Sequence, residues 1–171
     1  GNHPKSRIFR SLAEPNRRLL RRKQVSRISL GSELLASETV NRHQLRTRYV
    51  KLHHNVYAPR DMELTPFDRA VAAWLWSRRE AVLVGNSAAA VLGTKWLPAD
   101  APAELARTRH ANVPGIVIRG DTIAADELNV IRGLRCTTAG RTAYDMGRRT
   151  SKDQGIIRID AILSATNCNV A

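Results

Sequence analysis

The sequence predicts a mixed α+β protein: a small helix–helix–hairpin module, then a larger unit in which a short sheet is flanked by helices. Three observations carry that expectation. Two helix-capping patterns follow each other closely and give way at once to a β-rich run. Beyond residue 62 the order is helix, strand, helix, two or three strands and two helices, which is not a regular βαβ alternation. The chain has 171 residues, enough for one ordinary core or one core plus a small appendage, and it shows neither an internal repeat nor a low-complexity linker.

The formal charge of +13 and a pI near 11.1 point to a polyanionic partner, but the charge is unevenly spread. Residues 1–30 hold nine Lys or Arg against the single acid Glu14, which leaves 19 bases against 14 acids elsewhere. This stretch reads as a basic, disordered extension. Its cluster Arg17, Arg18, Arg21, Arg22 and Lys23 is also a candidate nonspecific nucleic-acid arm, because phosphate neutralisation needs only clustered cations. An Arg-rich, acid-poor transit segment is the third reading of the same composition.

Residues 31–61 form the small module. Ser32 is expected to cap a first helix with Leu34 and Leu35 facing inward. Asn41 caps a second, Gln44 completes a capping box, and Val40 packs onto Leu45 as a staple. "YVKLHHNVYAP" reads as a hairpin turning at His53-His54-Asn55. The stretch "APRDMELTP" marks the boundary to the unit over residues 62–171.

In that unit Thr65-Pro66 starts a helix with Phe67, Val71, Trp74 and Leu75 on one face. "AVLVG" is a short buried strand, after which Asn86 or Ser87 caps a helix ending at Gly93. "PAELAR" and "GIVIRG" are neighbouring strands, and "LNVIRGLRCTT" is a third, bent at Gly133. Two helices follow, "TAGRTAYDMGRR" and "DQGIIRIDAILSAT", the latter with an inner stripe of Ile156, Ile159, Ile162 and Leu163.

Several chemistries are disfavoured. Cys136 and Cys168 make no disulfide framework and suit a reduced, cytoplasmic setting. The apolar run from Ala81 to Leu92 is too short and polar to span a bilayer. "VGNSA" has the strand, Gly-x-Ser and helix of a nucleophile elbow but Ala89 where a second glycine belongs, and helix capping explains it with less. His43, His53, His54 and His110 fall into no metal-ligand spacing, so neither metal nor cofactor is expected. Asp145 is placed to pair with Arg141 or Arg149 rather than to act as a base, and Asp160 lies on a separate helix. Trp74 reads as core; Trp76 and Trp96 remain candidate stacking platforms. "GDTIAADE" lacks the spacing and lysine of a phosphate loop, and no small-molecule substrate is indicated.

Three elements in order, Asn55-Val56-Tyr57 of the hairpin, Gly85-Asn86-Ser87-Ala88 at the strand-to-helix turn, and Thr137-Thr138 with Arg141, Thr142 and Asp145, resemble the AbiEi-type, type IV antitoxin-like family over residues 31–171. The resemblance implies a winged-helix DNA-binding module followed by an α/β domain, and in many relatives a further nuclease-like domain whose acidic cluster has no counterpart here. The module is then degenerate, since only about two helical turns fit between Asn41 and Tyr49. With the resemblance, the expectation is a non-enzymatic, cytoplasmic DNA-binding regulator or antitoxin-like protein of a toxin–antitoxin system. It would contact duplex DNA through Arg42, His43, Arg46, Arg48 and Lys51. The alternative is a noncatalytic accessory or truncated portion of a nuclease-like protein, acting through a toxin or nuclease-like partner.

Overall fold

The computed structural model describes residues 27–108 and 111–166, and the basic cluster at positions 17–23 lies outside them, as do His110 and Cys168. The fold is mixed α+β. Its elements run β1 (Ser29–Leu30), α1 (Gly31–Ala36), α2 (Arg42–Arg48), β2 (Tyr49–His53), β3 (Val56–Pro59), α3 (Pro66–Trp76), β4 (Val82–Leu83) and α4 (Gly85–Leu92). There follow β5 (Ala103–Ala106), β6 (Ile116–Arg119), a 3-10 turn (Ala125–Glu127), β7 (Leu128–Ile131), β8 (Leu134–Thr137), α5 (Ala139–Arg149) and α6 (Lys152–Thr166). No described helix is long and apolar enough to cross a membrane.

A three-stranded antiparallel sheet is ordered β1-β3-β2. Its first strand corrects the expected extent of the extension. Ile28 is buried in the core and Ser29–Leu30 pair with Val56 and Tyr57, so residues 28–30 belong to the fold. The hairpin turn is tighter than expected, because His53 still pairs with Val56 and Asn55 takes the left-handed conformation. Asn55 also does the work assigned to Ser32. Its Oδ1 accepts the Ser32 amide N–H at 3.0 Å and its amide nitrogen donates to Ser32 Oγ, while the residue before α1, Leu30, offers no side-chain cap. Gly31 is required there, since a Cβ would stand 2.6 Å from the Tyr57 ring.

The five-stranded sheet has the order β6-β5-β4-β8-β7 with mixed directions: β4 runs antiparallel to β5 and parallel to β8. The segment expected as one bent strand is a hairpin. Arg132 and Gly133 both have positive φ, the conformation that closes a two-residue turn between right-twisted strands, so β7 folds back on β8.

Between the sheets lies α3, started by a capping box in which Thr65 and Asp68 exchange hydrogen bonds. The expected single apolar face is too narrow a description. Ala70, Ala72 and Ala73 are buried along with Phe67, Val71 and Leu75, because this helix meets strands of both sheets. One continuous core therefore joins Val56 and Ala58 of the hairpin to Phe67, Leu83, Leu105 and Cys136. Helices α5 and α6 pack where Gly147 and Gly155 approach. A Cβ on Gly155 would lie 3.5 Å from the Gly147 Cα. Of the expected inner stripe of α6, Ile162 is wholly buried with Met146 and Ala89, and Ile159 and Leu163 are half-buried, whereas Ile156 is 59% exposed.

Candidate nucleic-acid interface

The proposed contact residues sit on α2 and β2. Asn41 Oδ1 accepts the Gln44 amide N–H at 2.8 Å and Gln44 Oε1 accepts that of Asn41 at 2.9 Å, the reciprocal bond that fixes where α2 begins. Val40 and Leu45 are buried on either side of this cap and seat the helix on the protein. The helix ends after seven residues as the chain passes directly into β2 at Tyr49. Its last carbonyls are taken by Arg60, whose guanidinium donates to the oxygens of Arg46, Thr47 and Tyr49 at 3.1–3.2 Å. A cation at a helix C-terminus also opposes the dipole there. Sequence reasoning missed Arg60. The signal was the hairpin register: Tyr49 pairs with Pro59, which places the next residue beside the end of α2.

Arg42 and Arg46, one helical turn apart, form one side of an open groove of about 430 Å³. Lys51, directly across the hairpin from Tyr57, is in the lining with Tyr49 and Arg60. Among the described residues, no acidic side chain lines this groove. His43 and Arg48 are exposed but outside this lining, so three of the five predicted residues share one surface and two flank it. Among the described residues, Arg42, Arg46, Arg48 and Lys51 enter no ion pair.

The remaining candidate chemistry resolves into structural roles. Ser87 is 2% exposed and its Oγ accepts the Glu104 amide N–H at 2.8 Å. Glu104 in turn supplies what Asn86 and Ser87 were expected to supply: its carboxylate accepts the Asn86 amide N–H at 3.1 Å at the start of α4, where neither side chain acts as the cap. Arg119 holds that carboxylate through two bonds of 2.8 and 3.0 Å. Gly85, at φ +52°, is needed because a Cβ would fall 2.5 Å from the carboxylate. The apparent nucleophile motif is thus a docking site for an internal anion.

Asp145, 1% exposed, accepts from Arg141 at 3.2 Å and Arg148 at 2.9 Å, with Arg149 at 3.4 Å. Asp121 bridges Arg148 and Arg149, and Glu127 pairs with Arg141 at 2.5 Å. Burial pulls the Asp121 carboxyl upward, but its hydrogen bonds and charge pairing with the two arginines outweigh this and hold it below the ordinary range. Glu127 is lowered by the Ala124 amide N–H and by Arg141, against the opposing effect of desolvation. Thr137 and Thr142 exchange a buried hydroxyl bond of 2.8 Å, and Thr138 caps α5, so the whole Thr-Thr, Arg-Thr, Asp pattern knits α5 to the sheet.

Burial lowers the pKa of His53 and pushes the Cys136 thiol up to about 11, an inert interior cysteine. Among the described residues no three His, Cys, Asp or Glu are grouped to hold a metal ion. Trp74 and Trp76 are half-buried beneath Arg79 and Arg107 respectively, and Trp96 is 92% exposed. The chain matches no protein-family model and no curated protein sequence.

Proposed function

We propose that the protein is a non-enzymatic, cytoplasmic DNA-binding regulator or antitoxin-like protein that grips duplex phosphates in the groove between α2 and the hairpin. The observation that carries this reading is the groove itself: Arg42, Arg46 and Lys51 converge there, and among the described residues no carboxylate in its walls answers them. The arginines of α5, by contrast, are paired with acids, so three cations gathered in one groove without a carboxylate suit an external polyanion. The AbiEi-type resemblance of residues 31–171 supports the same reading, with α2 and the hairpin as the reduced winged helix. Two turns of helix and a short hairpin favour phosphate contact, which positions a protein on DNA, over reading of base edges.

The test is equilibrium binding to a short duplex across a salt series. Changing Arg42, Arg46 and Lys51 together to Ala should weaken binding at every sequence tested. It should reduce the slope of log affinity against log salt by about 3, roughly one unit for each phosphate no longer neutralised. An unchanged slope in that variant would remove the groove from the account.

A second reading rests on a different surface. Trp96 and Ile157, at 92% and 59% exposed, border one apolar cleft with Leu97 and Met146, the kind of patch that serves a protein partner. An accessory role through a toxin or nuclease-like partner predicts that the isolated chain has no salt-dependent DNA affinity. It further predicts that Trp96→Ala abolishes co-purification with that partner.

A further inference from the structure

The five-stranded sheet has a second face, and it carries a cleft that the DNA groove does not touch. Register defines it. Leu83, Leu105 and Cys136 are paired neighbours across β5, β4 and β8 and are wholly buried in the core. Side chains alternate along a strand, so their neighbours Val82, Ala106 and Arg135 stand on the opposite side. There they border a cleft of about 740 Å³, within the size range of small-molecule sites.

The lining of the cleft combines two chemistries. Val82, Ala106, Ile123 and Leu128 supply apolar surface, and Arg78, Arg107 and Arg135 supply positive charge. Two carboxylates also lie in its walls, Asp121 tied by hydrogen bonds and Glu80 largely exposed at the outer edge of ion-pair range. Asp121 faces Arg148 and Arg149, and Glu80 stands 4.0 Å from Arg107. Arg78 and Arg135 are exposed and enter no ion pair among the described residues. The walls are held in place from behind: Asp121 by the two arginines of α5, the Thr122 carbonyl by Arg141 at 3.3 Å, and Arg107 by the Trp76 ring, 5.6 Å from its guanidinium carbon. These contacts preorganise that part of the wall, so the ordering cost on binding falls mainly on Arg78 and Arg135.

We infer that this cleft binds a small organic phosphate of about nucleotide size. The phosphoryl group would lie between Arg78 and Arg135, and a flat or apolar body would lie against Val82, Ala106 and Leu128. Two guanidinia with unmet charge match a dianion, and guanidinium–phosphoryl bonds can form in pairs. The apolar residues beside these arginines favour an organic phosphate over the free ion. The inference is independent of the DNA groove, whose residues contribute nothing to this surface.

The experiment is isothermal titration of the full chain with AMP, with adenosine and inorganic phosphate as separate titrants, repeated on Arg78→Gln/Arg135→Gln and on Lys152→Gln as a control that also removes surface charge. AMP should bind more tightly than either fragment. The double variant should lose at least about tenfold in affinity, the scale of one charge-assisted hydrogen bond. The Lys152→Gln protein should bind as the parent does. Both arginines are exposed, so the variant's melting temperature should stay at the parent value. A melting temperature that falls together with AMP affinity would overturn the assignment, as would AMP binding equal in the double variant and the parent, or no binding by any titrant. So would a double variant that loses duplex DNA affinity in a chain that ignores AMP, since the cleft would then be part of a nucleic-acid surface.

Discussion

The protein uses arginine in two opposite ways, and the contrast separates what holds it together from what it offers to a partner. On α5, Arg141, Arg148 and Arg149 converge on Asp145 and are shared with Asp121 and Glu127, so positive charge is matched and largely withdrawn from water. On α2 and β2, Arg42, Arg46, Arg48 and Lys51 are exposed with no ion pair among the described residues. Buried charge is tolerated only when answered, whereas exposed charge contributes little to stability. The first cluster should therefore govern folding and the second binding, and each can be perturbed without the other.

The sharpest break in that comparison is Asp145→Ala. It leaves three guanidinium groups, two of them mostly buried, without their central acceptor, and should cost about 3 kcal/mol or more, the scale of breaking a buried charge pair. Denaturant unfolding measures it, and a loss below about 1 kcal/mol would mean that the network is not what secures α5. Acid should attack the same place. Asp121 and Glu127 are both held below the ordinary carboxylate range in the folded protein, so their contribution is complete above about pH 4 and is lost as the pH falls through their folded values. A melting-temperature profile should fall below about pH 4 in the parent, and less steeply once Asp121 is replaced by Asn.

The legibility of this fold from its sequence follows the range of each interaction. Asn41 with Gln44 and Thr65 with Asp68 are bonds within one helical turn, and both helix starts were readable. The caps of α1 and α4 were not, because Asn55 reaches Ser32 across 23 residues and Glu104 reaches Asn86 across 18. Only the tertiary fold brings those acceptors to bare helix ends. The expected serine and asparagine caps gave way to them. The single bent strand over residues 128–138 failed for a local reason: Arg132 at positive φ before Gly133 turns the chain back, and Arg gives no hint of that conformation. The α6 stripe held at Ile162, and in part at Ile159 and Leu163, but failed at Ile156, beside the close Gly147–Gly155 approach that periodicity does not reveal. The candidate contact residues were legible as residue types. That Arg42, Arg46 and Lys51 share a groove free of carboxylates, while the equally basic segment of α5 is neutralised, depends on acids brought from residues 121 and 127.

A smaller effect tests the α2 side without touching its charge. Asn41→Ala removes one half of the capping box and should cost about 1 kcal/mol of stability. It should also weaken DNA binding slightly, because the helix that presents Arg42 and Arg46 then frays at its start. The salt slope should remain that of the parent, since no cation has been removed. Parallel denaturation and binding measurements separate the two effects, and a slope that changes would show that the cap acts on binding through charge placement rather than helix order.

The smallest expected effect is the most discriminating within the basic surface. Arg48→Ala and Arg46→Ala remove the same charge from the same two-turn helix, so a diffuse electrostatic attraction would respond to both alike. The groove responds differently, because Arg46 is in its lining and Arg48 is not. Arg46→Ala should lower the salt slope by about one unit, while Arg48→Ala should leave it near the parent value, with stability changed by no more than about 0.5 kcal/mol in either variant. Equal slopes in the two variants would replace a defined phosphate contact with a general positive field. The fully paired arginines of α5 would then differ from those of α2 in stability alone.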